Sequence, residues 1–228
     1  MPYWIDGGLA GDGVPEILYD KDGGYMTTGR MYHPEQKAHM DSLAPKVGPK
    51  GRAYSAHPVD WDGDGDIDLV IGNDKGGLFL RKNEGTPKSP AFATEAVAIT
   101  HGGAPLLVPD GYALPIACDW NGDGRFDLVS GTKTGAVVWF QNVGEPNAPA
   151  FESAETLVPS AAKERLGRGG KSQVEVCDFD GDGDLDLLVG ELKSEDLGNS
   201  QRKNRGRVWL YRRGNDARAI EAGAPKTR

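Results

Sequence analysis

Asp60-Trp61-Asp62-Gly63-Asp64-Gly65-Asp66-Ile67-Asp68, running at once into Leu69-Val70-Ile71-Gly72, is the stretch from which the fold is read. Acids stand at alternate positions and glycines between them, and a short apolar run follows. The same arrangement returns as Asp119-Trp120-Asn121-Gly122-Asp123-Gly124-Arg125-Phe126-Asp127 with Leu128-Val129-Ser130-Gly131. It returns again as Asp178-Phe179-Asp180-Gly181-Asp182-Gly183-Asp184-Leu185-Asp186 with Leu187-Leu188-Val189-Gly190. Both steps are 59 residues. Self-similarity at a fixed period is the signature of a repeat architecture, in which each unit buries its apolar faces on its neighbours.

The register holds downstream, where Asn83 to Phe92 recurs as Asn142 to Phe151, again with a Pro-x-x-Pro-Ala-Phe ending. A decayed copy stands at Gly8 to Glu16 before Ile17-Leu18-Tyr19; it keeps Asp12, Gly13 and Glu16 but has Gly8 and Ala10 at the first two acidic positions, so it is expected to hold no ion. Each unit parses as four short strands. The first enters the Asp-rich loop (Ser55 to Val59, Val174 to Cys177) and the second leaves it. The third is aromatic-rich (Gly77 to Lys82, Ala136 to Gln141, Arg207 to Arg212), and the fourth follows the Pro-Pro-Phe segment. Strand two is apolar on consecutive residues, which suits burial on both faces. No long segment has a 3.6-residue period. The expectation is an all-β chain, a β-propeller of four-stranded antiparallel blades at about 1–48, 49–107, 108–166 and 167–228. A closed four-blade disc, part of a larger ring and two chains completing one ring between them all stand open, and the last unit lacks the Pro-Pro-Phe segment.

A hard divalent cation takes six to eight oxygens at about 2.3–2.6 Å. Side chains at loop positions one, three, five and nine, with the carbonyl of position seven, would supply them, and glycine at position six permits the sharp turn. Carboxylates this crowded repel one another unless a cation intervenes. The EF-hand shares the spacing but needs Glu at position twelve between helices; here that position is Ile71, Ser130 or Val189, inside a strand.

These units resemble the FG-GAP/VCBS repeats of integrin α-subunit-like propellers, whose Asp-x-Asp-x-Asp-Gly-x-x-Asp-Leu loop joins the first two strands of a blade. Position by position, the resemblance implies three structural Ca2+ sites. The first uses Asp60, Asp62, Asp64 and Asp68 with the carbonyl of Asp66. The second uses Asp119, Asn121, Asp123 and Asp127 with the carbonyl of Arg125. The third uses Asp178, Asp180, Asp182 and Asp186 with the carbonyl of Asp184. Asn121 and Arg125 make the middle loop less negative, so it is expected to bind least tightly. The resemblance also implies an extracellular, periplasmic or cell-surface protein, and ligand binding on the face opposite the loops.

Charge distribution agrees with local cation sites. The net charge is -8, yet the three loops hold thirteen of the 34 acids and one of the 26 bases, so the remainder carries about +4. Cys118 and Cys177 each precede the first Asp of a loop; equivalent positions lie a packed layer apart, so they read as two buried thiols in preference to a bridge. No apolar run approaches a membrane span, and the start, Met1-Pro2-Tyr3-Trp4-Ile5-Asp6, has neither the basic segment nor the apolar stretch expected of a signal peptide. With acidity overall and only local basic stretches, nucleic acid is not an expected partner.

The loops expected opposite the Asp-rich ones are Gly-rich and basic: Lys46 to Arg52 with Lys50 and Arg52, Arg165 to Lys171 with Arg168 and Lys171. Tyr112 adds an aromatic, and an insertion of eleven residues within Leu192 to Gly206 adds Lys193, Arg202, Lys203 and Arg205. Bases beside an aromatic suit an acidic polysaccharide, or a protein ligand, against a merely solvated surface. The function expected is a non-catalytic binding or adhesion module. The alternatives are a polysaccharide lyase, for which His57, Tyr54 and Tyr112 are the acid–base candidates, and an assembly-only scaffold. No nucleophile or metalloprotease motif and no phosphate-cradling loop occurs.

Overall fold

The computed structural model describes residues 21–23, 30–33, 38–41, 51, 53–145, 148–160, 172–198, 201–214 and 220–222. Among them there is no helix, and every sheet is antiparallel. A hairpin pairs β1 (Arg30–His33) with β2 (Ala38–Asp41). The first four-stranded sheet contains β3 (Ala53–Val59), β4 (Asp68–Asn73), β5 (Leu78–Arg81) and β6 (Val97–Ala98), side by side in chain order. A two-residue hairpin, β7 (Thr100–His101) with β8 (Ala104–Pro105), leads to the second sheet of β9 (Leu114–Cys118), β10 (Asp127–Gly131), β11 (Val137–Phe140) and β12 (Glu155–Val158). The third contains β13 (Gln173–Cys177), β14 (Asp186–Gly198), β15 (Gln201–Arg213) and β16 (Ile220–Ala222). The decayed copy at Gly8 to Glu16 lies outside the described residues, as do Lys50, Arg52, Arg168 and Lys171.

Alternation along strands two and three sends side chains to two different cores. Leu69, Ile71 and Phe79 point to the face where Phe92 and Ala96 also lie, whereas Val70, Leu78 and Leu80 point to the second sheet. On that second sheet Leu128, Val138 and Phe140 meet the first, and Val129, Val137 and Trp139 meet the third. Leu187, Val189 and Tyr211 close the second inter-sheet core. Successive residues of strand two in the first two sheets are thus buried on opposite faces, which is why strand two reads as a continuous apolar run. We call the face toward the preceding unit leading and the face toward the following unit trailing. The three sheets stack in a row, and among the described residues no contact closes them into a ring.

The glycine that ends each apolar run has a packing cause. A Cβ on Gly72 would collide with the Ala113 carbonyl oxygen, and one on Gly131 with that of Ser172. Ala113 and Ser172 are equivalent residues one repeat apart, each just ahead of the next sheet's first strand. Backbone bonds fasten the approach: Ala113 N donates to Asn73 O at 3.0 Å and Ser172 N to Thr132 O at 3.2 Å. A side chain at either glycine would wedge two sheets apart, so this position is fixed by van der Waals distance.

The insertion differs from a loop. β14 and β15 are 13 residues each and pair continuously from Leu187↔Tyr211 out to Asp196↔Arg202, then Gly198↔Gln201, so the extra residues form a two-stranded arm. In the earlier units Asn73 and Thr132 close tight turns at the corresponding point, their side chains accepting from Gly77 N and Ala136 N at 2.8 and 3.0 Å. Glu191 stands there in the last unit, and the strands run on.

Candidate metal centres and the opposite face

Each Asp-rich loop is folded by its own main-chain amides before any ion is considered. Asp60 accepts from Gly63 N and Gly65 N at 2.9 and 3.1 Å, and Asp178 from Gly181 N and Gly183 N at 2.7 and 3.1 Å. Asp119 accepts from Asp123 N and Gly124 N at 2.9 and 2.8 Å. The glycines at positions four and six lie in left-handed backbone, with φ of 75° and 91° in the first loop, a conformation that side chains resist. Position five accepts from the amide of position seven in all three loops: Asp64 from Asp66, Asp123 from Arg125, Asp182 from Asp184.

Position nine is a cross-link. Asp68 takes Asn83 N at 2.7 Å on one oxygen and Trp61 N at 3.2 Å on the other. Asp186 takes Arg213 N at 2.9 Å and Phe179 N at 3.1 Å. Asp127 takes Asn142 N at 2.7 Å, while its second oxygen is buried with the Trp139 ring N–H nearby but outside good hydrogen-bond geometry. Burial pushes the Asp127 carboxyl up to about 6, against the opposing pull of Asn142 N–H and the Trp139 ring N–H. Burial likewise raises Asp68.

The convergence of oxygens separates the loops. Asp60, Asp62 and Asp64 bring carboxylate oxygens within 4.8 Å of one another, as do Asp178, Asp180 and Asp186. Beside the first group, Asp66 is only 3% exposed and has an oxygen with no hydrogen-bond partner; burial and the charges of Asp64, Asp62 and Asp60 raise its carboxyl. A buried oxygen left over beside converging carboxylates fits a hard cation. The middle loop fits less well. Asn121 Nδ2 donates to Asp123 at 2.9 Å, and the Arg125 guanidinium meets the same carboxylate at 2.6 Å while its Nε donates to Asn142 O at 3.1 Å. Burial alone would raise Asp123, but the contacts with Asn121 and Arg125 bring it below the usual range. Arg125 also lines, with Asp60 and Asp62, a cleft of about 130 Å³ between the first two loops.

Sequence reasoning passed over the bases that end strand three. Lys82 Nζ meets Asp62 at 2.7 Å, and Arg212 Nε meets Asp180 at 3.2 Å; the equivalent middle residue is neutral Gln141. Arg213 pairs with Asp184 and with the Trp120 carbonyl, its guanidinium 5.2 Å from the Trp120 ring centroid. The signal was a base recurring at the end of strand three, directly before Asn83 in one unit and at Arg212-Arg213 in another.

At the other ends of the strands, the 109–112 turn joins the turns between strands two and three of both neighbouring units. Tyr112 N donates to Asp74 O at 3.4 Å, Lys133 N to Gly111 O at 3.1 Å and Thr134 Oγ1 to Asp110 at 2.9 Å. Asp110, Gly111 and Tyr112 all have positive φ, of 62°, 81° and 59°. The Tyr112 ring is half-buried, with Lys133 Nζ 5.7 Å from its centroid. Arg202 and Arg205 lie in β15, in register with Asp196 and Lys193. His57 is half-buried on β3; burial lowers its pKa, against a backbone bond at Ala117 and the charge of Glu175. Tyr54 is three residues earlier on the same strand. Cys118 and Cys177 are free and half-buried; burial pushes the Cys118 thiol up to about 12.

A family model described as an FG-GAP-like repeat matches residues 119–189, from the first Asp of the middle loop to Val189 in the third apolar run. No curated protein matches the chain.

Proposed function

We propose that the chain is a calcium-clipped β-propeller module of FG-GAP-type blades that recognises an acidic glycan, or an acidic protein surface, through the face opposite the Asp-rich loops. The observation that carries it is the convergence of the Asp60, Asp62 and Asp64 oxygens beside the buried, unpartnered oxygen of Asp66. When bound, Ca2+ supplies positive charge that lets these carboxylates stay ionised at close range. The residues themselves do the rest: Asp60 and Asp178 shape the loops, and Asp68 and Asp186 tie each loop to the end of strand three. Such an ion is a clip on the fold, and recognition then falls to the opposite side.

That side carries the 109–112 turn with its Lys133–Tyr112 stack and the β14–β15 arm with Arg202, Lys203 and Arg205. A cation over an aromatic beside further bases suits uronate-bearing chains or acidic peptides. An extracellular or cell-surface setting, where calcium is plentiful, accords with this reading. The test is titration of the calcium-loaded protein with a polyuronate and with its neutral counterpart. Binding to the acidic polymer that weakens with salt and is lost in Lys133→Ala supports the proposal; absence of binding to either sinks the recognition half. Chelator that leaves the melting temperature unchanged sinks the calcium half.

One contact favours a second reading, elimination from a uronate. His57 lies close enough to Glu175 for that charge to act on the imidazole, and its ring tends to stay neutral, as a base must. Appearance of an unsaturated-uronate absorbance that disappears in His57→Ala would establish it.

A further inference from the structure

We propose that the cleft between the first two Asp-rich loops is a seat for one neutral sugar ring. The comparison that carries it is with the same place one unit on, where the chain supplies its own occupant. Asn142 and Arg213 are equivalent residues, each giving its amide to position nine of its own loop, Asp127 at 2.7 Å and Asp186 at 2.9 Å. The Arg213 side chain is 9% exposed; its guanidinium meets the Trp120 carbonyl and the Asp184 carboxylate and lies 5.2 Å from the Trp120 ring centroid. A flat hydrogen-bonding group thus fills the gap between the second and third loops. Asn142 cannot do this. Its side chain is short and already engaged, accepting from Gly144 N and Ala150 N at 3.0 and 3.1 Å. Between the first and second loops the equivalent gap is left as the cleft of about 130 Å³, beside Trp61, the counterpart of Trp120.

Size and lining name the guest. A cavity of about 150 Å³ takes a benzene-sized ring, so this cleft admits one six-membered ring and no more. Its apolar walls are Trp61, Pro149 and Phe126, the last 37% exposed, and they suit the C–H face of such a ring. The polar groups decide against a charged guest. Asp60 and Asp62 line the cleft from the first loop, and Arg125, at position seven where the third loop has Asp184, lines it from the second. A cation would meet the Arg125 guanidinium, and an anion the Asp60 and Asp62 carboxylates. A hydroxyl donates to a carboxylate and accepts from a guanidinium, so a polyol serves both walls without bringing net charge. All the lining residues are among the described ones. The seat goes beyond the recognition proposed above, since it is on the loop face and takes a neutral ring.

The experiment is ligand-observed saturation-transfer NMR in calcium-containing buffer. Methyl glucoside and methyl galactoside are the probes, and arginine hydrochloride and sodium acetate are the charged comparators. At least one neutral glycoside should receive saturation. Added salt should not weaken it, which separates the seat from the charge-driven binding proposed for the opposite face. Phe126→Ala should weaken the glycoside roughly two- to tenfold, the range of an aromatic contact. Asn142→Arg, which installs the occupant of the next gap, should abolish its binding. Val97→Ala, at an exposed valine on the first sheet, should leave it unchanged, and melting curves confirm that each variant is folded. If Asn142→Arg does not fold, Phe126→Ala decides alone. Saturation of neither glycoside overturns the proposal, and so does a glycoside that Phe126→Ala binds as well as wild type. Arginine bound in place of the glycosides and lost in Asn142→Arg makes the gap a guanidinium seat and overturns it. Acetate bound in their place and lost in Arg125→Ala makes it an anion seat and overturns it equally.

Discussion

The first and middle Asp-rich loops share length, glycines and hydrogen bonds, yet they manage their charge in opposite ways. In the first loop Lys82 reaches Asp62 from outside, and Asp66 is left buried with an unsatisfied oxygen beside three converging carboxylates. In the middle loop Asn121 replaces one carboxylate, and Arg125 turns back from inside the loop onto Asp123. One loop keeps an unbalanced charge that a cation can use; the other has absorbed most of its own. A repeat can therefore conserve a shape while changing what that shape needs.

The strongest way to break this comparison is to compare the protein with and without the calcium proposed for the loops. At about a hundredfold excess over its dissociation constant a ligand stabilises by about 2.7 kcal/mol. For a chain of this size that is roughly 5–10 °C in melting temperature. Calorimetry should show most of this gain lost in Asp64→Ala and less lost in Asp123→Ala. Equal losses would show that the loops do not differ.

The pH dependence of cation-free protein sharpens the same point. Asp127 binds its proton more tightly folded than unfolded, so its contribution favours the folded state increasingly as pH falls through about 6 toward the unfolded value of 3.8. His57, lowered by burial, works oppositely, losing stability as pH falls through 6.5 and below. The quantity to measure is the difference in urea midpoint between wild type and Asp127→Asn from pH 7 to 5. It should move in favour of wild type on acidification, and a flat difference would contradict the buried-carboxyl account.

Arg125→Ala should tighten cation binding at the middle loop a few-fold. That is the effect expected from removing a partly exposed charge contact worth roughly 0.2–1 kcal/mol. Terbium luminescence titration resolves it, and weaker binding in the variant would show that Arg125 supports the site. The smallest effect belongs to Lys82→Gln, whose half-exposed pair should change the melting temperature by no more than about 1–2 °C.

Strand order and the folding of the Asp-rich loops were legible because both depend on neighbours in sequence. Alternating acids and glycines are covalently close, and Leu69-Val70-Ile71 declares two buried faces without reference to any partner. Gly72 could be noticed but not explained, since its reason is the carbonyl of Ala113, more than forty residues away. The arm read as a loop because Lys, Arg and Glu are poor strand formers alone. In the arm Glu191 stands in register with Arg207, Glu195 with Lys203 and Asp196 with Arg202, opposite charges set across the strands and visible only once the register is known. Lys82 and Arg212 were missed for the same reason: a base ending a strand looks solvated until the fold returns it to a loop many residues upstream.

That arm has a consequence of another kind. Beyond Gly190 and Gly206 it is, among the described residues, a ribbon of two strands whose outer edges have no neighbouring strand. Unpaired edges recruit stray strands and seed aggregation, and charged side chains are the usual defence. The dense Lys, Arg and Glu of residues 191–207 serve that defence whatever else they meet. Neutralising them together should cost solubility before it costs the fold.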